Sequence, residues 1–388
     1  MKRILFIGHD ARRTGAPIVL LHLLRWLRER YPDAEFDVLL LRGGEFESDY
    51  RRVAEVFVLP EEQSTLLGRG DRWLRRKLGR ERRVRGHGLP PFRRDYDVVL
   101  GNTIVTLDHL EYFKSKGSRT VCWIHEMEYV IESMFTRERF LELSRSVDCF
   151  ISASRAVDQT LREFGVTTDS HVVYEISPAM AAPDIDPRAV KRELGFPEDS
   201  FLVGGGGTIE WRKGPDLFLQ IAAMVSKAEQ SINFVWMGGA EPSSVDHIRV
   251  RHDLKRLGIE DRIVFTGMTD QPGKYLSAID VFALTSREDP FPLICLEAAS
   301  LGKPIICFER AGGMPEFVVP DTGVVVPYIA LDVFSEQVIN FCHDPGRVVS
   351  AGANAREKLN SSFSPDKQCK AIEQVLLTYQ NCGGPKER

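Results

Sequence analysis

The sequence predicts an α/β protein made of two doubly wound, parallel-sheet domains. Three observations predict it. Short apolar runs such as Ile4–Ile7 and Val281–Leu284 are continuous rather than alternating, the pattern of strands covered on both faces. Between them lie longer stretches with leucines at helical spacing, as in Ile18–Arg30. The alternation breaks once, at Ser177-Pro178-Ala179-Met180-Ala181-Ala182-Pro183-Asp184-Ile185-Asp186-Pro187, a stretch with three prolines and no period, and then restarts. A chain of 388 residues suits two such domains.

In the first half, Ile4–Ile7 reads as a strand and Ile18–Arg30 as a helix. Phe36–Leu41, Val56–Leu59, Asp97–Leu100, Thr120–Ile124, Cys149–Ser152 and His171–Tyr174 read as further strands. In the second half, Phe201–Gly204 reads as a strand and Asp216–Lys227 as a helix. The strands Asn233–Met237, Ile263–Thr266, Val281–Leu284, Pro304–Cys307 and Gly323–Val326 follow. The expected division is a domain over 1–177, a linker over 178–187, a second domain over 188–365, a final helix over 366–380 and a polar tail over 381–388.

Composition narrows the function classes. Hydrophobic residues make up 43% and charged residues 27%, which excludes disordered and collagen-like chains. A net charge of −4 argues against a polycation made for nucleic acid. The seven cysteines are odd in number, widely spaced and without a C-x-x-C pair, so neither a disulfide scaffold nor a zinc ribbon is expected. The opening Met-Lys-Arg leads into a four-residue apolar run, and nothing approaches the ~18 residues of a membrane span. The expectation is a cytoplasmic protein. Arg69–Arg94 stands apart, with eleven Lys or Arg against Asp71 and Glu81, and with Trp73, Leu74 and Leu78 among them. It reads either as a basic amphipathic segment for an anionic membrane surface or anionic acceptor, or as a solvated insertion. The first alternative would place the protein peripherally at the inner face of the membrane.

Five segments carry candidate chemistry. Gly8-His9-Asp10-Ala11-Arg12-Arg13-Thr14-Gly15-Ala16-Pro17 joins a strand to a helix, with small residues at Gly15 and Ala16 where a phosphate could approach free N–H groups. It is not G-x-G-x-x-G, so the dinucleotide fingerprint is absent. Trp123-Ile124-His125-Glu126 ends a strand, where ligands sit in open α/β sheets. There His125 either serves a substrate hydroxyl or is paired within the fold. Four glycines, Gly204–Gly207, precede Arg212-Lys213-Gly214, a pair of cations suited to a diphosphate and to the charge that develops as it leaves. In Ser286-Arg287-Glu288-Asp289-Pro290-Phe291-Pro292-Leu293-Ile294-Cys295-Leu296-Glu297, Asp289 lies in a loop and a helix starts near Pro292. Glu297 inside that helix is either an acceptor for a ribose diol or a helix-dipole carboxylate. Gly312-Gly313-Met314-Pro315-Glu316 is one more glycine turn after a strand.

Together these residues resemble the retaining GT-B glycosyltransferases of the family 4, or group 1, type. The resemblance rests on the acid-x7-acid pattern from Asp289 to Glu297 with Pro290-Phe291 between, on Lys213-Gly214, on Gly312-Gly313-Met314-Pro315-Glu316, on His125 and on Gly15-Ala16-Pro17. It implies two Rossmann-like domains facing across a cleft, with the donor held mainly by the second and the final helix crossing back to the first. It implies a nucleoside-diphosphate sugar as donor, a saccharide or glycolipid as acceptor, surface glycan assembly as the setting, and no cofactor or metal. Carried over by position, Glu297 would bind the donor ribose. Asp289 and the backbone of Phe291, Leu293 and Ile294 would hold the transferred sugar. Lys213, helped by Arg212, would bind the diphosphate, and Gly312 and Gly313 would lie beside sugar or phosphate. His125 would touch the sugar from the first domain, and Gly15 and Ala16 would pack on the phosphates. The sequence departs from the family pattern at three places: Asp289 stands for a glutamate, Pro292 for a glycine and Thr208 for a phosphate-binding arginine. A nucleotide-sugar 2-epimerase of the same architecture and a non-catalytic two-domain binding protein are the competing classes.

Overall fold

The computed structural model describes residues 3–60, 89, 92, 95–177, 180 and 183–381. The basic segment Arg69–Arg94 therefore falls almost wholly outside the described residues.

Of that segment, Leu89 and Phe92 alone are described. The chain forms two compact units. One comprises the residues up to Ile176 together with those from Pro365 onward, and the other runs from Ser177 to Ser364.

The first unit is built on a seven-stranded parallel sheet. Its strands are β1 (Ile4–Gly8), β2 (Phe36–Leu40), β3 (Glu55–Val58), β4 (Val98–Asn102), β5 (Arg119–Ile124), β6 (Cys149–Ser152) and β7 (Ser170–Val172). Their order is β3-β2-β1-β4-β5-β6-β7. The second unit has a six-stranded parallel sheet of β8 (Phe201–Gly206), β9 (Ile232–Met237), β10 (Ile263–Phe265), β11 (Val281–Leu284), β12 (Ile305–Phe308) and β13 (Gly323–Val326), ordered β10-β9-β8-β11-β12-β13. Both are doubly wound, and in each the strand order reverses beside the first strand, between β1 and β4 and between β8 and β11. Ligands in such sheets bind outside the carboxyl ends of the strands at that switch point. The register there pairs Gly8 with Asn102 and Gly204 with Phe282.

The continuous apolar strands are buried on both faces, as β1, β2, β4 and β9 show. The helix Pro215–Ala228 buries Leu217, Phe218, Leu219, Ile221 and Val225 against the second sheet's core. Each such side chain contributes roughly 1.5–3 kcal/mol by leaving water. The helix Pro365–Asn381 packs within the first unit, beside the helix Gly15–Arg30. Ile372, Val375 and Leu376 are buried there, and Glu373 accepts hydrogen bonds from Arg30 Nε at 2.7 Å and from the Tyr31 hydroxyl. Among the described residues, no helix is long and apolar enough to cross a membrane.

Candidate functional site

In the second unit the candidate residues gather at the carboxyl ends of β8, β11 and β12. Leaving β8, the chain turns through Gly207 at φ 134° and enters the short 3-10 turn Trp211–Lys213. It leaves that turn through Gly214 at φ 66° to start the helix Pro215–Ala228. Gly214 is required twice over, since φ is positive and a Cβ would stand 2.1 Å from the Thr285 carbonyl oxygen. The stem of Lys213 lies against Gly207, with Cδ 3.1 Å from where a Cβ would stand. Its ammonium donates to Asp289 Oδ2 at 2.6 Å.

Asp289 is buried. Ser286 Oγ donates to the same Oδ2 at 3.0 Å, and Arg212 Nη1 lies 3.8 Å from Oδ1. Arg212 also donates to Glu210 Oε1 at 2.8 Å and to the Glu288 carbonyl at 3.1 Å. Burial works against the Arg212 charge, but Asp289 and Glu210 more than offset it and hold its pKa above the usual value. The Asp289 backbone is clipped to the glycine turn: its N–H donates to the Ala311 carbonyl, and its own carbonyl accepts from Gly313. Gly312, at φ 131°, lies so close that a Cβ would stand 1.8 Å from the Asp289 oxygen.

The helix Leu293–Ser300 begins after Pro292, with no side chain capping it. Leu293 and Ile294 are thus among its first residues, whose N–H groups lack partners within the helix. The Phe291 side chain instead belongs to the core, stacked on Phe363 with ring centroids 5.8 Å apart. Glu297 sits on this helix, and burial pushes its carboxyl up to about 6. Thr208 is exposed. Lys213, Arg212, Asp289 and the Gly312-Gly313 turn are thus joined by direct contacts, while Glu297 stands on the helix that follows.

In the first unit, His125 follows β5 and is enclosed. Its Nδ1 is 2.6 Å from Glu175 Oε1 and its Nε2 is 2.7 Å from Asn102 Oδ1. Trp123 packs beside the ring at 4.7 Å. The Asn102 amide in turn donates to the Ala16 carbonyl at 2.9 Å, in the first turn of the helix Gly15–Arg30. Glu126 accepts from the backbone N–H groups of His125 and Ile104. Burial raises the Glu126 pKa, whereas burial lowers that of His9. Burial alone would lower His125 too, but the Glu175 and Glu126 carboxylates raise it. Gly15 and Ala16 open a helix whose N-cap, Thr14, makes no side-chain hydrogen bond to it. The sequence reading assigns no role to Asn102, Glu175 or Ser286. The signal for the first two was a polar residue at or just beyond the carboxyl end of a strand.

Residues 186–358 match the family described as glycosyl transferases group 1. The match spans most of the second unit. Among curated proteins, the chain is 26% identical over 260 residues to the GDP-mannose-dependent monoacylated alpha-(1-6)-phosphatidylinositol monomannoside mannosyltransferase of Corynebacterium glutamicum, covering 62% of this chain and 65% of that one. It is 24% identical over 208 residues to the lipopolysaccharide core biosynthesis mannosyltransferase LpsB of Rhizobium meliloti, covering 53% and 59%. The chain thus spans less than two thirds of either relative. Among solved structures, Anabaena HepE in complex with UDP and glucose superposes with a TM-score of 0.78 at 20% identity, covering 97% of this chain and 99% of that one. Sucrose-phosphate synthase of Thermosynechococcus elongatus gives a TM-score of 0.78 at 19% identity, covering 99% and 100%. At these identities the likeness carries the fold alone, and the two parallel-sheet units match the GT-B fold.

Proposed function

We propose that this protein is a retaining glycosyltransferase that moves a sugar from a nucleoside-diphosphate sugar to a hydroxyl of a saccharide or glycolipid acceptor. The observation that carries the reading is the cluster of Lys213 and Arg212 on Asp289, on the glycine turns of the unit that matches the family. The relatives named for lipopolysaccharide core and for a phosphatidylinositol mannoside support a glycolipid acceptor. GDP-mannose in one relative's name and UDP in a neighbouring structure keep both nucleotides in view.

In this reading the bond from the anomeric carbon to the diphosphate oxygen breaks as the acceptor oxygen bonds to the same face of that carbon. The acceptor proton passes to the departing diphosphate. Lys213 and Arg212 neutralise the charge that gathers on the diphosphate, a role side chains fill without a metal. Asp289 holds both cations in place, and Glu297 accepts the ribose hydroxyls.

Calorimetric titration with UDP, GDP and ADP, with and without magnesium, tests the reading. One nucleotide should bind regardless of magnesium, and Lys213→Ala should cut turnover with its sugar donor by about 10²–10³-fold. Failure of all three to bind would remove the donor site. Conversion of the donor to another sugar nucleotide without acceptor would make the protein an epimerase.

A further inference from the structure

Four residues in the first unit form one hydrogen-bonded line: Glu175, His125, Asn102 and Ala16. The direction of each bond can be assigned. The Asn102 amide nitrogen faces the Ala16 carbonyl, which can only accept, so its oxygen faces His125. Glu175 offers a carboxylate to the other ring nitrogen. A neutral imidazole carries one N–H and one lone pair, so it would leave a lone pair against one of these two acceptors. The doubly protonated ring satisfies both.

We propose that His125 is a positioning residue, held as an imidazolium between Glu175 and Asn102, and that through Asn102 it fixes the first turn of the helix Gly15–Arg30.

The surroundings fit a fixed charge. His125 and Glu175 side chains are each 7% exposed, so the pair is shielded from water and salt. Among the described residues the buried Glu175 Oε2 has no hydrogen-bond partner, and the ion pair of Glu175 is with the histidine. The charged and titratable groups around His125 are Glu175, Glu126 and His9, the last with Asp10 3.5 Å away. Two of them are carboxylates that favour the cation. The face of Trp123 lies beside the ring. On the other side of Asn102, Thr103 is held at φ 92°, unusual for a residue with a branched side chain. Its N–H donates to the Trp123 carbonyl at 2.8 Å, and its carbonyl accepts from Thr106 Oγ1 at 2.7 Å. Asn102 is therefore fixed by its backbone as well as by its amide. The Pro17 carbonyl, next to that of Ala16, receives the Tyr50 hydroxyl at 2.7 Å, so two side chains brace this one turn.

The consequence for catalysis, though not the clamp itself, rests on the glycosyltransferase reading, in which Gly15 and Ala16 meet the donor phosphates. Two measurements on the full chain separate the ideas. In the first, nitrogen-15 NMR of the histidines follows His125, assigned from the signal lost in His125→Gln. It should remain doubly protonated at pH 7.5, and Glu175→Gln, which removes the carboxylate that opposes burial, should leave it neutral at that pH. A neutral ring at pH 7.5 in the wild type, or one that ignores Glu175→Gln, overturns the clamp. In the second, nucleotide affinity is compared between wild type and Glu175→Gln across pH 6–8. The variant's deficit should grow as pH rises, to about tenfold at pH 8, the loss of one charge-assisted hydrogen bond. A ratio that stays constant with pH marks Glu175 as structural and overturns the positioning role. If the wild type binds no nucleotide, the glycosyltransferase reading fails while the NMR titration still decides the clamp.

Discussion

Glu297 is a carboxyl raised to about 6 by burial. A ribose diol would supply two donors to the ionised form and to that form best, so nucleotide binding should weaken as pH falls through about 6. The sign follows from linkage. Burial raises the folded pKa above the unfolded one, so the free protein carries its cost of charged Glu297 in full above about 6 and loses it on acidification. The ligand, by stabilising the charge, releases a proton near that pH. Calorimetry from pH 5 to 8 should show affinity dropping toward the limit of about tenfold per unit. Glu297→Gln should bind more weakly at pH 8 and lose this share of the pH dependence, the remainder belonging to the nucleotide's own phosphate. An identical pH profile in the variant would remove Glu297 from the ribose. Residue types at the site were legible because acids and cations beside glycines are conspicuous in an apolar sequence. Their partners were not. Asp289 and Lys213 lie 76 positions apart, and Asn102 and His125 meet only because β4 and β5 are neighbours.

At the scale of elements, the second unit's site depends on turns that approach each other more closely than side chains allow. Gly312 against Asp289 is the tightest of those at the site, while Gly258, which ends the helix Val245–Leu257, has nothing within 4 Å of its missing Cβ. Both have positive φ, so Gly→Ala at either adds backbone strain of about 1–2 kcal/mol. At Gly312 the new methyl also has to displace the Asp289 loop. Gly312→Ala should therefore lower the melting temperature more than Gly258→Ala and should weaken nucleotide binding, which Gly258→Ala should leave alone. Equal effects on melting and no effect on binding would mean that the Asp289 loop moves freely. The strands themselves were plain in the sequence, because parallel strands buried on both faces leave uninterrupted apolar runs. Their ends were less so. β8 continues through Gly205 and Gly206, past the expected strand Phe201–Gly204, since pairing with β9 holds the glycines extended. His171–Tyr174 reads as a strand, but pairing with β6 covers Ser170–Val172 and ends there.

At the scale of the whole molecule, the first unit is not contiguous in sequence. The chain leaves it at Ile176 and supplies its last helix only after Ser364. That helix brings buried Cys369, Ile372, Val375 and Leu376, and it places Glu373, 5% exposed, against Arg30 and Tyr31. Gln368 accepts the Tyr174 N–H at 3.1 Å, and Asp366 accepts the Trp26 indole N–H at 3.1 Å. Removing the helix would return several apolar side chains on its two sides to water, at roughly 1.5–3 kcal/mol each. A domain's whole stability is about 5–15 kcal/mol. Truncation after Ser364 should therefore destabilise the first unit and leave the second close to its original stability, since Ser177–Ser364 keeps its own sheet and core. Hydrogen exchange reads the two separately. Protection should fall in the helix Gly15–Arg30 and in β4 and β5, which pack against the missing helix, and should persist in the helix Pro215–Ala228 and in β8 and β9. Full protection of Gly15–Arg30 in the truncated chain would show that the sheet and the remaining helices suffice. Loss of protection in Pro215–Ala228 would show that the second unit, too, draws its stability from the segment beyond Ser364.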